Sequence, residues 1–184
     1  MTPAQNEVIK ADIAANGDLN SHPPNSDGSY AIAELYNLPA VPTFSVWRTD
    51  ARVQDIYDAI NWSLYTPVDA PEASGLYAAR ALAIQTKQMN LQNMLIGRDT
   101  LDCSKLNVRA GLRDAVIAVP AGTNGANVSP GGASGTTVLA NCIRPATRLE
   151  KLLSIGSATT GSTTANLLGF EGTVSYRDIE TARA

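Results

Sequence analysis

The amino-acid sequence predicts a mainly α protein, a small irregular helical bundle with long Gly/Ser/Thr loops and an extended C-terminal arm. Three observations lead there. Positions Tyr77, Ala81, Ile84, Gln88, Leu91 and Leu95 recur at alternating steps of four and three, the seam of a helix packed on other helices. Two Arg-bearing runs, NVRAGLRDAV at 107–116 and IRPATRLEKLLSIGS at 143–157, read as amphipathic helices with charged outer faces. Each leads into a Gly/Ser/Thr tract, and such tracts bury too little to offset their own ordering entropy. With 184 residues, 44 % of them apolar, the chain is sized for one domain spanning 1–184, with a flexible loop near 121–134 and an arm from about 157.

Taken in order, Thr2, Pro3 and Gln5 form a helix start with Thr as cap and Gln reaching back, followed by an apolar face of Val8, Ile9 and Ile13. Asn16-Gly17 ends that helix, and GDLNSHPPNSDGS reads as a polar loop. Ser26 or Asp27 caps a second helix carrying Ile32, Leu35 and Tyr36, which stops before Pro39. The next segment, with Pro39 and Pro42, is expected to be an extended linker rather than a sheet interior. Asp50 opens a third helix through Val53, Ile56, Tyr57 and Ile60, with Trp47 and Trp62 as core anchors. The long helix from about Glu72 to Ile96 ends at Gly97. A fifth, capped by Asp102 or Ser104, buries Val108, Leu112, Ala115 and Val119 and stops at Pro120. A turn or two of helix over Val138 to Ile143 precedes Pro145, which either kinks the helix or starts a new one. The last strong helix has Leu149, Leu152 and Leu153 on its apolar face, with Arg144, Arg148 and Lys151 on or near the other. An extended piece from Phe170 to Val174 and a short helix capped by Ser175 complete the chain.

Composition and motifs argue against most chemistry. The balance of 14 Lys and Arg against 17 Asp and Glu, a formal charge of -3, offers no general attraction to nucleic acid. His22, the one histidine, sits before Pro23-Pro24 in a loop, a poor place to hold a general base. GxSxG is absent, and one His with two distant cysteines does not make a zinc site. The tract GTNGANVSPGG lacks the Gly-Lys-Ser/Thr of a phosphate loop. Asp55 with Asp58, and Glu171 with Asp178, read as helix decoration. No enzyme activity, cofactor or metal is expected. Cys103 and Cys142 read as buried thiols in a reducing compartment. No leader peptide or membrane-spanning segment is expected.

Arg109 with Arg113, and Arg144 with Arg148, are each spaced by one helical turn. Two roles fit them: gripping acidic or phosphate groups on a partner, or lying on a solvated face with local pairs to Asp114 and Glu150. Leu167, Leu168, Phe170 and Val174 form an apolar cluster beyond the polar tether at 156–164, one that needs a surface to bury against.

At NVRAGLRDA, RPATRLEKLLSIGS, FEGTVSYRDI and the segment from Ala31 to Arg48, the chain resembles a family of small structural proteins of tailed bacteriophages and prophages. The similarity covers most of the chain except the Gly-rich stretch near residue 125. It implies a virion component assembled in the host bacterial cytoplasm, most plausibly a head-tail adaptor of the neck: a helical subunit that forms a homo-oligomeric ring on the portal protein, beside other neck or tail proteins and packaged DNA. A tail-completion, tail-terminator or capsid-associated protein is the alternative, and a small phage enzyme a more distant one. The expected interface residues are Arg109, Arg113, Arg144, Arg148, Leu168 and Phe170.

Overall fold

The computed structural model describes residues 1–60, 62, 77–116, 138–156 and 165–184. Their order is α1 (Pro3–Ala15), α2 (Gly17–Asn20), α3 (Ser26–Asn37), β1 (Ser45–Trp47), β2 (Ala51–Arg52), α4 (Val53–Asp58), α5 (Tyr77–Leu95), β3 (Thr100–Leu101), α6 (Leu106–Val116), β4 (Ile143–Pro145), α7 (Arg148–Leu152) and α8 (Tyr176–Arg183). The fold is mainly α, as the sequence predicts. The expected flexible loop at 121–134, the tether at 157–164 and the start of the long helix lie outside the described residues. The chain divides into two compact units, one of residues 1–47 with 144–184 and the other of residues 48–143.

In the first unit the helix starts obey local chemistry. Thr2 and Gln5 form the expected reciprocal cap of α1, and Ser175 with Asp178 forms another at α8. The α1 face is narrower than expected, since Ile9 and Ile13 are buried while Val8 is exposed. The polar loop after Asn16 contains an extra turn, α2, because Leu19 inserts fully into the core. Asn25 caps α3 rather than Ser26 or Asp27, its Oδ1 accepting from the Gly28 amide at 2.9 Å. Gly28 is required there because a Cβ would collide with the Pro23 carbonyl. The core joins Ile9, Ile13, Leu19, Ile32 and Tyr36 to Leu149 and Leu153 of the α7 region and to Val174 and Ile179.

The extended arm is corrected by this packing. Residues 165–184 fold back within the unit, and α8 lies against α1 and α3. Asn37 grips the returning backbone twice, donating to the Val174 carbonyl at 3.0 Å and accepting from its amide at 2.9 Å. Gln5 Nε2 donates to the Gly169 carbonyl, and Arg183 donates to the carbonyls of His22 and Pro23. Of the apolar residues after the tether, Val174 is buried and Leu168 and Phe170 are half-buried against the unit's own cores, while Leu167 stays exposed.

Proline placement did not keep the segment around residue 45 out of a sheet. β1 pairs with β4, and the Ala146 amide donates to the Phe44 carbonyl at 2.8 Å. Pro145 therefore ends a strand instead of kinking or opening a helix. Thr147 caps α7 two residues later, with Glu150 closing the reciprocal bond. Phe44, Val46, Ala40 and Ala146 form a second small core beneath Leu168.

The second unit packs α5 against α6. The predicted seam holds: Ile84, Leu91 and Leu95 are buried, as are Leu112 and Ala115 opposite. Gly97, at φ 68°, turns the chain after α5 in a conformation costly to other residues. The helix expected from Asp50 starts at Val53 instead, because Ala51 and Arg52 pair antiparallel with Leu101 and Thr100. Trp62 is no core anchor. It is exposed and stacks on Tyr57 at 5.3 Å between ring centroids, with its Nε1 donating to the Tyr57 carbonyl.

Candidate functional site

Arg144, Arg148, Glu150 and Lys151 lie on β4 and α7 of the first unit. Arg144 lies on β4, not on the last helix face, so the expected one-turn spacing to Arg148 does not exist. Its guanidinium grips Glu150 in a two-pronged bond, Nη1 to Oε2 and Nη2 to Oε1, both 2.7 Å, and Nη2 reaches Glu171 at 3.5 Å. The Thr147 amide donates to Oε2 at 3.0 Å and the Gly172 amide to Oε1 at 3.4 Å. Burial alone would raise the Glu150 pKa, yet the hydrogen bonds from Arg144, Thr147 and Gly172 outweigh it and hold the carboxyl below its ordinary range. The bond to Glu150 holds the Arg144 guanidinium above its own. This cluster fastens α7 to the returning C-terminal segment.

Arg148 has a different post. Its amide donates to the Leu38 carbonyl at 2.8 Å, tying the start of α7 to the end of α3, and its guanidinium stands 5.7 Å from the centroid of the Tyr36 ring. Between these elements runs an open groove of about 630 Å³. Leu35, Leu38, Val41 and Leu152 give it an apolar wall, and Arg148 and Lys151 stand along α7. Asp12 lies on the other side, where its Oδ2 accepts from the Tyr36 hydroxyl at 2.8 Å. Burial, then that bond, push the Tyr36 phenol far above its ordinary pKa. The sequence reading missed this groove. Its only signal was YNLPAVP, where two prolines leave apolar residues with neither helix nor sheet to cover them.

Arg109 and Arg113 belong to the second unit. Arg109 turns inward and donates from Nη1 to the carbonyls of Cys103 and Ser104 at 2.7 and 2.6 Å, bracing the turn that leads into α6. Arg113 is exposed, and Asp114 meets Lys87 of α5 rather than an Arg of its own helix. Leu168 and Phe170 are half-buried against the two cores of the first unit.

Cys103 and Cys142 are free, fully buried thiols, and the Cys142 thiol donates to the Val138 carbonyl at 3.5 Å. Arg48 stitches their backbones together, accepting from the Cys103 amide and donating to the Cys142 carbonyl. Interaction with the neighbouring Cys142 thiol favours ionisation of Cys103 over burial's penalty, while the same pairing and burial push the Cys142 thiol up. Among the described residues no three His, Cys, Asp or Glu side chains are placed to hold a metal, and no helix is long and apolar enough to cross a membrane. Comparison with protein-family models, curated proteins and solved structures finds no match for the chain.

Proposed function

We propose that this protein is a structural subunit of a tailed-bacteriophage virion, a head-tail adaptor that assembles into a ring with copies of itself and docks on the portal. One observation carries the reading: three of the four segments that resemble such proteins meet in one compact unit, through residues 31–47, 144–156 and 170–179, and fasten one another there. Glu150 bonds Arg144 and Thr147 from one segment and Gly172 from another, and Arg148 bonds Leu38 from the third. Residues of the segments that resemble assembly proteins thus hold a frame together and border an open groove. A partner-binding role suits that arrangement, because the groove has an apolar wall flanked by Arg148 and Lys151, which no ion pair among the described residues engages. The net charge of -3 confines any contact with packaged DNA to a local one, and exposed Arg113 suits such a contact.

The deciding experiment is electron microscopy of purified virions carrying an epitope label on this chain. Label between head and tail is expected. Label along the tail tube or at its end would assign a tail-completion or terminator role. Label over the shell would assign a capsid-associated one, and particles without label would remove the virion reading altogether.

A further inference from the structure

We propose that the groove between α3 and α7 is filled by the exposed face of α3 from a second copy of this chain, with Tyr30 as the inserted anchor. This rests on the reading that the chain assembles with itself. Asp27, Tyr30 and Glu34 are spaced by three and four residues, so they form one ridge on α3. All three are exposed, and Tyr30 keeps 60 % of its surface in contact with solvent. The ridge therefore presents an aromatic ring between two carboxylates. The groove is its complement, with Leu38 and 89 %-exposed Val41 on the apolar wall and Arg148 and Lys151 beside it. No ion pair among the described residues involves Asp27, Glu34, Arg148 or Lys151. The rings of Tyr36 and Phe44 hold the two cations in place without neutralising them. Asp12, which accepts from the Tyr36 hydroxyl, also lines the groove, so two cations face one carboxylate there.

A tyrosine suits this role because its ring buries a large area at low entropic cost while its hydroxyl finds a polar partner. Carboxylates on either side steer the ridge toward the cations. The Tyr30 anchor and the groove lie on different sides of the same helix, since Tyr30 and Leu35 are five residues apart, roughly 140° around the axis, while Glu34 stands one turn before Leu38 at the groove's edge. One copy can thus offer its ridge to one neighbour while its groove receives another's. Such a contact is heterologous and continues from copy to copy until the rotation closes a ring.

Sedimentation velocity of the full-length chain, over a range of concentrations at low and high salt, tests this. Wild type is expected to self-associate, and less so at high salt. Tyr30→Ala, at an exposed position that leaves the core intact, should weaken association by about thirtyfold, the loss of a buried aromatic anchor. Arg148→Glu with Lys151→Glu, and separately Asp27→Lys with Glu34→Lys, should each give monomers with unchanged circular dichroism. Mixing these two variants should restore association, because the acidic ridge of the first meets the basic groove of the second while the lysine ridge of the second meets the glutamate groove of the first. A mixture that stays monomeric overturns the contact. A wild-type chain that stays monomeric throughout, or an oligomer indifferent to Tyr30→Ala, overturns the contact. Where label lies at the neck but the oligomer ignores these substitutions, the contact fails and the adaptor reading stands. Where the oligomer responds but the label lies elsewhere, the adaptor reading fails and the contact stands.

Discussion

Removing a carboxylate from water costs several kcal/mol unless hydrogen bonds replace the lost hydration, so Glu150, only 2 % exposed, depends on its bonds from Arg144, Thr147 and Gly172. Glu150→Gln should destabilise the protein by about 3 kcal/mol, because it breaks the two-pronged ion pair and leaves Arg144 with the weaker contact to Glu171. Urea titration at neutral pH checks this. The pH dependence follows from the same bonds. A carboxyl held below its ordinary pKa in the folded state adds stability that is complete above the unfolded value of about 4.3 and is lost as pH falls through the lower folded value. Wild type should therefore lose this increment on acidification, while Glu150→Gln, having no proton to take up there, loses nothing by that route. Equal acid sensitivity in both would show that the carboxyl is not held in its ionised form. From sequence, Glu150 was visible as a local partner for the arginines but not as a buried one. A charged residue inside RLEKL resembles any solvated helix position, and burial comes from a segment twenty residues further on.

Elements with local instructions were legible, and those made by distant pairing were not. The caps at Thr2 and Ser175, the seam of α5 and the stop at Gly97 each depend on residues within a turn or two. By contrast, β2 and β3 are two residues each and exist only because Ala51 meets Leu101 across about fifty residues of chain. The fate of residues 165–184 also escaped local reading, since the partners of Val174 and Ile179 are in α1 and α3. That fate has a measurable outcome. Ile179, fully buried between those helices, should cost about 2–5 kcal/mol when changed to Ala. Deleting 165–184 removes Ile179, Val174 and Ala182 together, a loss comparable with the whole stability of a small domain. Thermal melting of the isolated chain should show a collapsed midpoint for the deletion. An unchanged midpoint would return these residues to the role of an arm.

For the whole molecule, the first unit is built from two stretches, 1–47 and 144–184, whose junctions lie at the paired strands β1 and β4. Strands paired in this way can be joined by a tight turn. A chain in which residues 48–142 are replaced by an Asn-Gly turn, keeping Ile143 opposite Trp47, is therefore expected to fold alone, with one cooperative transition and the helix content of α1–α3, α7 and α8. Circular dichroism and a dispersed amide spectrum would check it, and a molten, non-cooperative product would show that the unit is incomplete without the excised stretch. Composition could not reveal this division, because both units draw on the same residue types and the boundaries at Trp47 and Arg144 carry no linker signature. The discontinuity also sets a clock during synthesis. The apolar faces of α1 and α3 emerge early, but α8, which covers them, follows Asn37 by well over a hundred residues, a delay of roughly 10 to 30 s at ribosomal speeds. Throughout that interval the nascent chain displays Ile9, Ile13 and Ile32 without their final cover, so newly made copies are vulnerable to premature association until translation has passed α8.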